Sequence, residues 1–203
     1  MKRLMLLALM AVAMIASTAQ AQTGRHLSLG AGLGFHKYVD DNFSQKNPGI
    51  SVVYRISLKP GVTKGWTLEP KGTIDWFKTD VKTVIGTVDT HIGKLRSIPV
   101  LVGAGPSYRL GRTKVGFAVL VGPSFNRFTT DKGANPVTVK NSVMVRPETS
   151  LWYDVSSRLG LHAGVSYIYN RPTADTTIGA SKTSAKWNAD HVNFSAGFAI
   201  GVI

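Results

Sequence analysis

The sequence predicts an all-β chain: an eight-stranded antiparallel up-and-down barrel that crosses a membrane. Three observations carry this. The chain opens with an export signal. Apolar residues then alternate with small or polar ones in eight successive segments. The connections between those segments alternate between short and long, as in transmembrane barrels.

The composition narrows the class. There are 24 Lys+Arg against 11 Asp+Glu in 203 residues, a formal net charge of +13 and a pI near 10.2. Cys is absent, so neither a disulfide scaffold nor a Cys-ligated metal site is available. The 21 glycines have no period of three, which excludes collagen. The 8 Phe, 6 Tyr and 4 Trp exclude generic disorder.

The export signal has three parts. Lys2 and Arg3 precede an apolar run, Leu4 to Ala16, and Ala19-Gln20-Ala21 supplies a small-x-small cleavage site. The run falls short of the roughly 20 residues that a spanning helix needs. The expected division is a signal peptide over 1–21 and a barrel domain over 22–203.

Each alternating segment has a bulky face and a small or polar one. The first sets Leu27, Leu29, Ala31, Leu33 and Phe35 against Ser28, Gly30, Gly32 and Gly34. In the second, Ile50, Val52, Tyr54, Ile56 and Leu58 oppose Ser51, Val53, Arg55 and Ser57. In the third, Trp66, Leu68, Ile74 and Trp76 oppose Thr67, Glu69, Lys71, Thr73 and Asp75. The fourth, less regular, has Ile98, Val100, Val102 and Tyr108 against Leu101, Gly103, Gly105 and Ser107. The fifth has Val115, Phe117, Val119, Val121 and Phe125 against Gly116, Ala118, Leu120 and Ser124. The sixth has Val143, Val145, Leu151 and Tyr153 against Arg146, Glu148, Ser150 and Trp152. The seventh has Leu159, Leu161, Val165, Tyr167 and Tyr169 against Gly160, His162, Gly164 and Ser166. The eighth has Val192, Phe194, Phe198 and Ile200 against Asn193, Ser195, Gly197 and Ala199.

Short connections are expected at 59–65, 109–114 and 154–158, and long polar loops at 36–48, 78–94, 127–142 and 171–190. Aromatics at both segment ends, such as Trp66 and Tyr153 at one and Trp76 and Phe125 at the other, suit two interfacial girdles. A soluble sandwich would also alternate, but its wet face would carry long Lys and Glu chains. Here that face is mostly Gly, Ser and Thr, which suits a narrow eight-stranded interior. Pro70, Pro99, Pro106, Pro123 and Pro147 lie inside these segments, where each forfeits a ladder hydrogen bond.

The leader, the eight segments, the stretch Leu95–Gly103 before a short turn and the closing segment His191–Ile203 together resemble the small bacterial outer-membrane β-barrel family, the eight-stranded, porin-like kind. The resemblance covers Arg25 to Ile203. It implies short periplasmic turns, long extracellular loops, and a place in the outer membrane of a Gram-negative envelope. The implied partners are outer-membrane lipid, lipopolysaccharide and, during biogenesis, the barrel-assembly machinery; the chain is expected to be a monomer. Family members usually end in an aromatic residue, whereas this chain ends in Ile203.

The inner face carries the first candidate site. A hairpin pairing Leu58 with Trp66 sets Arg55 opposite Glu69, with Lys71 and Asp75 on the same face and Arg146 and Glu148 on that of the sixth segment. Opposite charges in a narrow lumen are expected to pair, because unpaired buried charge is costly. The network is read as a side-chain plug, with a small-solute conduit as the alternative. Changes on this face, such as Ser51→Arg and Gly105→Ser, are expected to cost less than a charge on the outer face.

The second candidate set is basic: Lys82, Arg127, Lys132, Lys140, Arg171, Lys182 and Lys186 in the long loops suit the phosphates of lipopolysaccharide. Lys64, Arg109 and Lys114 are assigned to the short turns at the opposite end. Dispersed basic residues on an exported chain argue against nucleic acid.

A lipid A-modifying enzyme would need His, Ser and a carboxylate together. His191, Ser195 and Asp190 on the last segment are one set, and His26 with Ser28 is a weaker one. Neither is a sharp motif, so no catalytic residue, metal or cofactor is assigned. The expected role is structural or surface interaction, with a narrow pore and a lipid A-modifying enzyme as alternatives.

Overall fold

A computed structural model describes residues 27–58, 62–85, 88–156 and 158–202. The expected signal peptide, His26 and Ile203 lie outside them. The strands are β1 (Leu27–Tyr38), β2 (Phe43–Ser44), β3 (Gly49–Ile56), β4 (Lys64–Ile85), β5 (Val88–Leu110), β6 (Thr113–Thr130), β7 (Val137–Val139), β8 (Ser142–Asp154), β9 (Leu159–Asn170), β10 (Thr173–Ile178), β11 (Ser181–Lys186) and β12 (His191–Gly201).

Eight of these, β1, β3, β4, β5, β6, β8, β9 and β12, form a closed antiparallel ring. The first strand pairs with the last, Leu33 opposite Ala196, and β4 pairs with both β3 and β5. Closure leaves no edge strand, so the wall satisfies its backbone internally, as a hydrocarbon setting requires.

The faces follow the alternation. Leu33, Val52, Ile74, Val102, Val119, Leu151, Val165 and Phe198 point outward and are exposed, while Arg55, Glu69, Lys71, Asp75, Arg146 and Glu148 are buried inside. Charge inside and large apolar side chains outside is the inverse of a soluble barrel. It is the arrangement of a transmembrane one.

Three sequence expectations change, and one, on the prolines, is met. First, the β3–β4 register places Arg55 opposite Lys71, two residues from the pairing with Glu69 that the hairpin suggests. Second, the stretch 78–94 is not a loop: β4 and β5 continue as a paired ribbon, with Thr83 opposite Thr90 and Ile85 opposite Val88. Similarly, 171–190 contains the β10–β11 hairpin, and β10 also pairs with β7. Third, the prolines stay within the wall, as the sequence places them, and the ladder opens beside all but Pro70. Pairing is interrupted between Pro99 and Val102 and between Ala104 and Ser107 on β5–β6, and between Val145 and Glu148 on β8–β9. Fourth, Gly105 is not a tolerant site. A Cβ there would meet the Phe117 carbonyl oxygen at 1.8 Å, so the wall itself needs the glycine. The two-residue turn between β5 and β6 also depends on one, since Gly111 has a φ of +58°.

The interior is layered. Nearest the short turns lies the charge network. Next come Phe77, Leu101, Ala118, Leu120, Met144 and Ile168, one buried apolar cluster. Beyond the lipid-facing belt, Tyr38, Phe43, Val81, Leu95, Val139, Ala174 and Ala189 form another, against which Ile92, Phe128 and Trp187 pack. The stretches expected to be long loops therefore enclose a small core of their own.

Candidate functional site

The luminal network draws on β3, β4, β6 and β8, whose inward parity sends each charged side chain into the ring. Arg146 Nη1 donates to Asp75 Oδ2 at 2.8 Å, and its Nε lies 3.0 Å from Glu148 Oε2. The Lys71 ammonium also pairs with Glu148, and it donates to Ser150 Oγ at 3.2 Å. Thr73 Oγ1 donates to Asp75 at 3.3 Å. Arg55 Nη1 stands 3.9 Å from Glu69 Oε2, and its guanidinium lies 4.2 Å from the centre of the Trp152 ring. Trp152 in turn stacks on His162, with ring centres 5.0 Å apart.

All six residues expected in the lumen lie in this network, joined by one that the sequence reading misses. Lys114, assigned to a turn, is 4% exposed and pairs with Glu69. Its parity with Gly116 and Ala118 on β6 is the signal that would have placed it inside. Four cations, Arg55, Lys71, Lys114 and Arg146, thus meet three carboxylates, Glu69, Asp75 and Glu148. Such an arrangement can hold opposite walls of the ring together.

The basic set expected at the loop end does not form one patch. Lys140 and Lys182 both pair with Asp175, at 3.3 and 3.1 Å, and Arg171 pairs with Asp190 at 3.1 Å. Lys82 is half-buried, and Lys132 and Lys186 are exposed far apart in sequence. Hydrogen bonds from Ser184 and then Lys182 hold the Asp175 carboxyl down at about 2. Arg127 points outward from β6 beside Arg96 of β5. On the outer wall by β3 and β4, a pocket of about 410 Å³ is lined by Leu33, Ile50, Trp76, Lys46, Lys78 and Lys94, with Phe77 at its back.

The candidate catalytic set does not assemble. The His191 ring nitrogen Nδ1 bonds to the Ala189 carbonyl oxygen at 2.9 Å, and the ring stacks on His36. Asp190 accepts from the Asn170 amide at 2.8 Å and from the Tyr167 hydroxyl at 3.3 Å. Ser195 lies four residues along β12 from His191, roughly 13 Å at strand rise.

No protein-family model matches the sequence, and no curated protein matches it. Solved structures do match. The outer membrane protein OprG from Pseudomonas aeruginosa superposes with a TM-score of 0.69 at 10% identity, covering 89% of this chain and 97% of that one. The outer membrane protein AlkL, solved in lipid bilayers, gives 0.61 at 16% identity, covering 91% and 92%. A major outer membrane protein from Thermus thermophilus gives 0.53 at 14% identity, covering 88% and 99%. At such identities the likeness is one of fold. Together with the closed ring, the apolar exterior and the charged interior, it makes this chain a transmembrane barrel with the fold of the small eight-stranded outer-membrane β-barrel proteins.

Proposed function

We propose that the protein resides in the outer membrane as a barrel closed by its own side chains, with a structural or surface-interaction role rather than a catalytic one. The observation that carries this is the filled lumen. The paired charges are succeeded by Leu101, Leu120 and Met144, all at 0% exposure, and then by the outer core around Tyr38, Val81 and Leu95. A conduit would require each of these layers to move. A lipid A-modifying activity would need His191, Ser195 and Asp190 brought together from separate positions.

On this reading the short turns are periplasmic and the folded β7–β10–β11 layer faces the medium. The exposed cations of that layer, Lys132 and Lys186, then meet lipopolysaccharide. The mature chain begins at Gln22, which the intact mass of the exported protein checks. Conductance in planar bilayers tests the closed lumen. Refolded protein should give no steady channel, and reproducible unitary steps would overturn the plug. Membrane fractionation with heat-modifiable migration tests the location.

A further inference from the structure

The registers bring together three cations that are far apart in sequence. Lys78 on β4 stands opposite Arg96 on β5, and Arg96 stands opposite Arg127 on β6. All three are exposed on the outer wall. Directly opposed like charges destabilise a sheet, and among the described residues no carboxylate pairs with any of the three. The nearest relief is aromatic: Lys78 and Arg96 lie 5.7 and 5.2 Å from the centre of the Trp76 ring.

Their height is informative. Two residues lower on the same face come Trp76, Ile98 and Phe125, part of the apolar belt. A step of two residues is roughly 7 Å along a strand, which carries the wall from hydrocarbon to head-group level. Beside the row lies the 410 Å³ pocket, apolar below at Leu33, Ile50 and Trp76 and lined above by Lys46, Lys94 and Asp80. Those two lysines are already engaged by Asp80, at 3.0 and 4.0 Å, so the uncommitted charge is that of the row.

We infer that Lys78, Arg96 and Arg127 form a site for the phosphorylated head group of an outer-leaflet glycolipid of the lipid A class. A phosphate seated across the row replaces like-charge repulsion with charge-assisted hydrogen bonds. The acyl chains run down over Trp76, Ile98 and Phe125 and into the pocket. The site rests on the outer-membrane placement proposed above and goes beyond the loop contacts proposed there.

The test uses the full mature chain refolded into phosphatidylcholine nanodiscs. The probes are bis-phosphorylated lipid A, its dephosphorylated form and inorganic phosphate, with retention read by native mass spectrometry. The phosphorylated lipid should bind at least about tenfold more tightly than the dephosphorylated one, the scale of one charge-assisted contact. The variant Lys78→Gln/Arg96→Gln/Arg127→Gln should lose that preference, and Lys64→Gln, an exposed cation at the short-turn end, should keep it. Arg96→Gln alone should weaken it, which keeps the test open if the triple variant fails to show heat-modifiable folding. Equal binding of the two lipids, or an equal loss in Lys64→Gln, would overturn the site. Inorganic phosphate competing as well as the lipid would overturn the lipid assignment. Fractionation outside the outer membrane would instead sink the placement, whereas an outer-membrane chain without lipid preference sinks only the site.

Discussion

Replacing Glu69 by Gln isolates the charge that the lumen depends on at its short-turn end. The carboxylate is held by Lys114 in direct contact and by Arg55 at 3.9 Å, and its side chain is 7% exposed. Gln keeps the shape and leaves two buried cations facing each other. Removing one partner of a buried pair typically costs ~3–5 kcal/mol, and Lys114→Met should fall in the same range. The double variant should then be less damaging than the sum, with a coupling of about 2 kcal/mol, within the span found for contacting residues. A second cycle, Glu69→Gln with Arg55→Met, should give a smaller coupling. Arg55 is farther from the carboxylate, and its guanidinium also rests on Trp152. The assay is reversible urea unfolding in lipid vesicles, followed by tryptophan fluorescence and heat-modifiable migration. A larger coupling for Arg55 than for Lys114 would refute this geometry and favour the register that sets Arg55 directly opposite Glu69. Couplings near zero in both cycles would mean that water screens the charges, and would favour a conduit over a plug.

Three further outcomes are expected. Val119→Arg puts a charge on the lipid face and should cost roughly 2–4 kcal/mol in vesicle refolding; Gly105→Ser, although on the inner face, should also destabilise because its Cβ meets the Phe117 carbonyl oxygen. Leu120→Ala, at 0% exposure, should cost ~2–5 kcal/mol by the same assay without opening a steady conductance, since Phe77, Leu101 and Met144 remain around it. Asp175 has a folded-state pKa of about 2, below the roughly 3.9 of an unfolded aspartate, so the support it lends the β7–β10–β11 layer is present above pH ~4 and disappears as the pH falls toward 2. Amide hydrogen exchange confined to that layer should quicken over this interval, and Asp175→Asn should show the quicker exchange already at neutral pH.

Strand number and facing were legible residue by residue. Lipid on one side and a narrow lumen on the other impose a strict period of two, so Val119 and Glu148 reveal their faces by position alone. Register was not legible to the same degree. Moving β3 by two residues against β4 keeps every side chain on its own face, so the apolar pattern does not distinguish Arg55 opposite Glu69 from Arg55 opposite Lys71. The ribbon through Thr79, Asp80 and Thr83 reads as loop in the sequence because no bilayer enforces alternation beyond the head groups. There the strand is specified by its partner β5, a contact between chain segments rather than a local pattern. Partners across the lumen depended on closure. Lys71 and Glu148 lie 77 residues apart and meet only because the ring turns β4 and β8 inward toward each other. The row Lys78, Arg96 and Arg127 has the same origin, since three separate strands acquire a common height only when their hydrogen-bond ladders lock. Local sequence sets which way a side chain points along a strand; which other side chain it meets is set by the ladders and the ring, whose geometry no single segment contains.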